Sequence, residues 1–272
     1  MTAGAAGAGS FGGLWTVYTL WRRELVRFFR QPSRIFGAVG TPLIFWLVIG
    51  SGLSSSFRLP GAAHLDYLEY FYPGTIALIV LFAAIFATIS VIEDRHQGFL
   101  QGVLVAPVPR AAIVAGKVLG GATLAWLQGA VFLALAPAVG IHLTWGSALA
   151  ALGVLAALAV TLTAIGFAFA WALDSTQGYH AVMNVVLVPM WLLSGAFFPL
   201  TGAPLWLAVL MRINPMTYGV AALRWVLYGP AASLGEGLPG PGVSIAATLA
   251  VGALAFAADL LVTRRGSARR LS

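Results

Sequence analysis

The charged residues divide the chain before any motif is considered. Arg34 and Arg58 bracket 23 uncharged residues, Glu69 and Glu93 another 23, Lys117 and His142 24, and His142 and Asp174 31. About 20 apolar residues carry a helix through the roughly 30 Å of bilayer hydrocarbon, so each interval predicts one membrane span. The stretch after His180 gives a fifth span to about Phe198, where Pro199, Gly202 and Pro204 interrupt it. The run from Glu236 to Asp259, prolonged by Leu260–Thr263, gives a sixth.

Leu14–Arg30 has a different pattern. At 100° per residue Leu14, Val17, Tyr18, Trp21, Leu25, Phe28 and Phe29 share one arc, with Arg23, Arg27 and Arg30 opposite. This predicts a helix in the membrane interface over residues 14–31, aromatic residues toward the acyl boundary and arginines toward headgroups or a cytoplasmic partner. A basic flank that merely orients span one is the competing reading. Gln31-Pro32 turns the chain inward, because proline disfavours helical geometry in the residue before it. Residues 1–13, rich in Gly and Ala, predict a flexible lead, and residues 264–272 a basic tail.

Composition agrees with the spans. The 272 residues are 60% hydrophobic and 8% charged, with a mean hydropathy of +0.93, against roughly a quarter charged in soluble domains. The net charge of +7 does not point to nucleic acid, since the basic residues punctuate apolar runs. Arg22, Arg23, Arg27, Arg30 and Arg34, then Arg95, Arg110 and Lys117, then Arg264, Arg265, Arg269 and Arg270 fall on one side of a six-span topology. Arg58, Arg212 and Arg224 fall on the other. The positive-inside bias places both termini in the cytoplasm of a multi-pass plasma (inner) membrane protein. Tyr67, Tyr70, Phe71 and Tyr72 are expected in an outer interfacial aromatic belt. The absence of cysteine excludes thiolate metal sites and cysteine nucleophiles.

Chemistry within the spans is sparse. All eight acids lie at or outside span ends, which argues against an ion-driven carrier; Asp259, five residues before Arg264, is expected to pair or snorkel at the inner interface. Gly116-Lys117 lacks the rest of a P-loop, having Ala111 and Val118 where a phosphate cradle needs Gly and Ser/Thr. ATP, if used, is hydrolysed by another chain. The four histidines have no metal spacing, and Ser194 with His180 has no imposed hydrolase geometry. Pro42, Pro137 and Pro189 are candidate kinks within spans.

The segment Glu93–Lys117, EDRHQGFLQGVLVAPVPRAAIVAGK, predicts a short cytoplasmic helix. Gly98 and Gly102 allow a tight turn, Phe99, Leu100, Val103 and Leu104 supply an apolar side, and Pro107 and Pro109 stop the helix. Such a helix suits a groove on a soluble partner or packs on its own bundle. Beyond span five, Pro199 and Pro204 precede Leu205–Ile213, which is too short to cross. Asn214-Pro215 is an N-cap and first-turn pair for a second short helix. Irregular backbone at this depth requires cover from protein or a water-filled cavity.

The order of Glu93, Gly98, Val103, Pro107, Val108, Arg110, Gly116 and Lys117 resembles the first cytoplasmic loop of ABC type-2 exporter permeases, the family of daunorubicin-resistance, nodulation-factor and polysaccharide export permeases. Ser194, Gly195, Phe198, Pro199, Asn214, Pro215, Tyr218 and Arg224 resemble its re-entrant outer helices. The resemblance implies an all-α membrane protein of six transmembrane helices with an N-terminal interfacial helix and a re-entrant hairpin between spans five and six. It assigns docking on an ATP-binding-cassette subunit to Glu93, Asp94, Arg95, Gly98, Phe99 and Leu104, helix termination to Pro107, and closure of the exit path to the outer residues. Its expected partners are two ATPase copies, which bind ATP and magnesium, and a second permease, either another copy or a sister chain. The expected cargo is an amphipathic, drug-like or lipid-linked molecule. An ATP-independent carrier or channel is the alternative, and a membrane-embedded enzyme the third reading.

Overall fold

The computed structural model describes residues 5–53, 67–229, 237 and 239–268, with the side chains of 5–11, 32–35, 38 and 265–268 left aside. The expectations for Arg34, Arg58, Arg265, Arg269, Arg270, Glu236 and the outer segment 54–66 lie outside the described residues or side chains. Ten α-helices are present in this set: α1 (Ala5–Phe29), α2 (Pro32–Leu53), α3 (Tyr67–His96), α4 (Phe99–Val105), α5 (Arg110–Leu133), α6 (Trp145–Ala172), α7 (Thr176–Trp191), α8 (Leu205–Ile213), α9 (Pro215–Tyr228) and α10 (Pro241–Ala268). Five stretches, α3, α5, α6, α7 with its continuation to Ala196, and α10 to Arg264, are long and apolar enough to cross a membrane. The apolar part of α2, Val39–Leu53, is a shorter sixth element.

The breaks follow local chemistry. Thr144 caps α6 in a reciprocal box with Ser147, and the Ser175 hydroxyl caps α7 by accepting from Gly178 N. Span three ends at Leu133. Pro137 lies beyond it, in the 3₁₀ turn Ala136–Val139, so it terminates the span instead of kinking it. Pro42 and Pro189 lie inside α2 and α7 as expected, and Pro73 is a further proline inside α3. α1 starts at Ala5, so part of the expected flexible lead is helical; its alanines favour helix.

α3 occupies the centre of the bundle, with α2, α5, α6 and α7 around it. Without a hydrophobic force between helices in lipid, small residues that permit close approach sustain packing. Gly129 of α5 has room only for hydrogen against Val80 of α3, and Gly166 of α6 against Thr88. This burial corrects the expected aromatic belt. Tyr67, Tyr70, Phe71 and Tyr72 are all buried, with Tyr72 stacked on Phe132 and edge-on to Trp46, and Phe71 against Trp191 and Phe197, because α3 is surrounded by α2, α5, α6 and α7.

α1 packs along α5 through Gly116 and Gly120. A Cβ at Gly116 would stand 2.8 Å from Leu20 Cβ, and one at Gly120 2.8 Å from Glu24 Cβ. Gly116→Val is therefore expected to destabilise the α1–α5 contact by about 1–3 kcal/mol. Thermal unfolding of the purified chain checks this, and an unchanged midpoint would refute the close packing.

Candidate functional site

The interfacial helix brings its charges to one end of the bundle. Arg23 grips Asp94, at the end of α3, with Nη1 to Oδ2 at 2.7 Å and Nη2 to Oδ1 at 2.6 Å. One turn on, Arg27 donates to Asp94 Oδ1 at 3.0 Å and to Glu93 Oε2 at 2.5 Å. From α5, Lys117 Nζ donates to Glu24 Oε1 at 2.5 Å and also to Asp94 Oδ2. Asp94 is fully buried, and Glu24 and Lys117 nearly so.

Three cations thus meet three carboxylates in a neutral cluster, which is what makes buried charge tolerable. The bond to Asp94 raises the pKa of the Arg23 guanidinium above its ordinary value, outweighing the opposing effect of burial. Lys117, the lysine of the incomplete P-loop, is a buried ion-pair partner in mid-helix.

The next residues hold the short helix α4. Gly98 adopts φ +75°, a left-handed conformation that only glycine takes without strain. The Arg23 guanidinium lies 3.7 Å from the Phe99 ring centroid, and Leu100 is buried. Arg95 reaches across to the α6–α7 turn, donating to Asp174 Oδ1 at 2.6 Å, Trp171 O at 2.7 Å and Leu173 O at 3.1 Å. His96 Nε2 lies 2.7 Å from Asp174 O. Ala106 is extended and Pro109 precedes α5, so the Pro107–Pro109 segment ends the helix as expected.

Geometry redistributes the roles expected of this loop. Asp94, Glu93 and Arg95 are engaged within the chain, and Phe99 turns toward α1. The exposed side consists of Gln97, Gly98, Gln101, Gly102, Val105 and Pro107, with Val105 86% exposed. Gln97, Gln101 and Val105 were not singled out from sequence, although their four-residue spacing opposite Leu100 is the available signal. Leu104 is half-buried and borders a small cleft with Gly12, Ala106 and Arg110. Gly98→Ala is expected to strain the turn by about 1–2 kcal/mol and to increase amide hydrogen exchange across α4 selectively. Unchanged exchange there would contradict the strained turn.

The opposite end of the bundle holds the hairpin. α7 continues as a wide π-turn, Leu192–Ala196, in which Gly195 takes φ +80°. The turned-out Gly195 carbonyl accepts from Tyr70 Oη at 2.9 Å and from Arg224 Nη2 at 3.1 Å. Arg224, 3% exposed, also donates to Tyr70 O at 3.3 Å and lies 4.3 Å from the Tyr70 ring centroid. Trp191 Nε1 donates to Gly74 O at 2.8 Å. A Cβ on Gly74 would overlap Ala196 at 2.4 Å.

Asn214 caps α9 by accepting from Met216 N, and its amide donates to Met190 O at 2.5 Å; Pro215 is the first helical residue. Tyr218 Oη donates to Arg212 O at 2.8 Å. Ser194 is buried and its hydroxyl donates to Trp191 O. Fourteen residues of helix, roughly 20 Å at 1.5 Å each, separate it from His180, so the two form no catalytic pair. Phe198 and Pro199 are half-buried where the π-turn gives way to α8.

Asp259 departs from expectation. It is fully buried on α10, and both carboxylate oxygens lack a hydrogen-bond partner among the described residues. Arg264, five residues on, lies about 140° around the helix at 100° per residue and is exposed, so no pair forms.

The profile of the ABC-2 type transporter family matches residues 16–228, the region from α1 through the outer hairpin. The chain belongs to this family. The permease is 28% identical over 223 residues to the inner membrane transport permease YadH of Escherichia coli K12, covering 78% of the permease and 82% of YadH. It is 26% identical over 221 residues to nodulation protein J of Rhizobium leguminosarum bv. trifolii, covering 80% and 83%. It is 26% identical over 230 residues to the daunorubicin resistance ABC transporter permease protein DrrB1 of Streptomyces coeruleorubidus, covering 82% and 78%. Membership makes the permease a membrane-embedded transport component, and ABC-2 permeases generally work with ABC ATPases.

Proposed function

We propose that this permease is the membrane half of an exporter in a bacterial inner membrane, both termini cytoplasmic, driven by a separate ATP-binding-cassette subunit that docks on the exposed side of α4. The observation that carries the proposal is the way α4 is held. Its inner side is fixed to α1 through Arg23 and Phe99, and the adjoining Arg95 is fixed to the α6–α7 turn. A push on Gln101 and Val105 therefore reaches α1, α3, α5 and α6 through rigid contacts. Nucleotide-driven closure of two ATPase copies, each holding ATP and magnesium, would shift the bundle between inward- and outward-open populations.

In this reading Glu93, Asp94 and Arg95 position the coupling helix, and Gln101, Val105 and Pro107 meet the partner. A second permease, of this chain or a sister chain, completes the pathway, and the hairpin around Gly195 and Arg224 closes its outer end. An amphipathic, drug-like or lipid-linked cargo suits spans this poor in charge, and one relative is named for daunorubicin resistance. Direction rests on the same likeness.

The test is co-purification of the tagged permease in mild detergent. A bound ATP-binding-cassette subunit is expected, with recovery falling about tenfold or more for Val105→Asp, because burying an unpaired carboxylate opposes docking. Equal recovery from a well-folded V105D variant would refute the docking side. Uptake into inverted vesicles that proceeds without ATP but requires an ion gradient would favour a carrier, for which buried Asp259 would be the first residue to test.

A further inference from the structure

We propose that the α1–α4 junction contains a binding site for the phosphate headgroup of an anionic inner-leaflet lipid. The proposal rests on the membrane-spanning reading of the helices and is independent of the ATPase.

Three sectors of α1 carry the argument. Leu20, Glu24 and Phe28 face the bundle and are buried. On the far side Trp15, Tyr18, Val26 and Phe29 are exposed and fall within about 80° of arc at 100° per residue, with exposed Arg22 as the charge within that arc, its long stem able to reach the headgroup level. Between these sectors stand Arg23, Arg27 and Arg30. The two-arc reading of the sequence therefore divides its aromatic arc: Phe28 packs inward, Trp21 Nε1 donates to Thr123 Oγ1 on α5, and Tyr18 and Phe29 remain outside, joined by Trp15.

A cleft of about 490 Å³ opens along the arginine sector, lined by Arg23, Val26, Arg27, Arg30, Gln31 and Gln97. Its polar lining among the described residues consists of three guanidinium groups and two amides, with no carboxylate. Glu93 and Asp94 neutralise Arg23 and Arg27 from behind the wall. Arg30 is exposed and has no ion pair or side-chain hydrogen bond among the described residues, which leaves it as the surplus cation. Gln31 lines the mouth of the cleft beside Arg30.

Donors alone select an anion. Val26 decides its kind, because it lines the cleft and also belongs to the exposed apolar stripe. An anionic head in the cleft and acyl chains along Trp15, Tyr18 and Phe29 describe one amphiphile. An acidic patch on a soluble partner would fill the cleft and leave the stripe uncovered. The lipid phosphate can come from bulk phosphatidylglycerol or from a phosphate-bearing cargo lipid, since both present the same group at this depth.

The experiment uses the delipidated full-length permease in detergent, titrated with dioleoyl phosphatidylglycerol or dioleoyl phosphatidylcholine, with bound lipid counted by native mass spectrometry. Phosphatidylglycerol is expected to bind at least tenfold more tightly. Arg30→Gln should weaken it roughly ten- to hundredfold, as expected for charge-assisted bonds. Val26→Glu, an exposed substitution that places a carboxylate in the cleft, should abolish the preference. Arg22→Gln, exposed outside the cleft, should leave it unchanged.

Equal binding of the two lipids, or equal losses from R22Q and R30Q, would overturn the site in favour of general charge attraction. Competition by inorganic phosphate at concentrations matching the lipid would overturn the lipid in favour of a soluble anion. Loss of ATPase recovery in R30Q with lipid binding intact would reassign the cleft to the partner. Displacement of phosphatidylglycerol by polyprenyl phosphate, but not by phosphatidylcholine, would identify the source as a cargo lipid and support the site.

Discussion

Asp94→Leu is expected to destabilise the purified permease by about 3–5 kcal/mol, the range for removing one partner of a buried ion pair. The carboxylate holds Arg23 by two bonds, Arg27 by one and Lys117 by another. Without it Lys117 retains Glu24, and Arg23 loses its two-point partner beside Phe99. The cost comes from charge left behind in a dry site more than from the bonds themselves.

A second substitution separates these contributions. Lys117→Met in the Asp94→Leu background removes the surplus positive charge and leaves Arg23, 3.5 Å away, to balance Glu24, so the double variant should recover part of the lost stability, with a coupling energy of about 0.5–3 kcal/mol. Thermal unfolding in detergent measures both. Additive losses would mean that the residues are not one network. ATPase recovery should fall with Asp94→Leu even where folded protein remains, because α4 loses its support from α1.

The spans were legible because charge spacing is a one-dimensional property imposed by bilayer thickness. Pro107, Pro109 and Gly98 were legible because turn chemistry is local, as was the Asn214-Pro215 cap, whereas Pro137, expected as a kink, ends its span. Partnership was not. Arg23 and Asp94 lie 71 residues apart, and nothing in a helical wheel of α1 indicates that its basic flank faces carboxylates on α3. The same wheel left Glu24 unexplained until α5 supplied Lys117.

Burial within the membrane was equally hidden. Hydropathy does not distinguish lipid from protein as the apolar neighbour, so the tyrosines of α3 were read as a belt although they form the centre. The packing of the loop around α4 was hidden for a related reason. The residues with the strongest chemistry, Glu93, Asp94 and Arg95, satisfy one another's helices, while the surface left for a partner is chemically plain. Asp259 marks the remaining gap, since sequence distance to Arg264 suggested a pair that helix geometry separates.

Arg224→Met carries the largest expected effect at the other end of the molecule. Transport should fall by at least tenfold while recovery of the ATPase is unchanged, because Arg224 touches the π-turn and α3 but no part of the α4 region. A charge at this depth is expensive to insert, and its known partners here are the carbonyls of Gly195 and Tyr70 and the face of the Tyr70 ring. Its removal leaves the Gly195 carbonyl with Tyr70 Oη as remaining support. Tyr70→Phe should therefore be mild alone and severe with Arg224→Met, since a buried acceptor stripped of its donors costs about 1–3 kcal/mol. Arg224→Lys preserves charge but not the planar guanidinium that lies over the Tyr70 ring while Nη2 serves both carbonyls, and should restore stability better than transport. Normal transport by a well-folded R224M variant would reduce Arg224 to packing and remove the hairpin from the gating scheme.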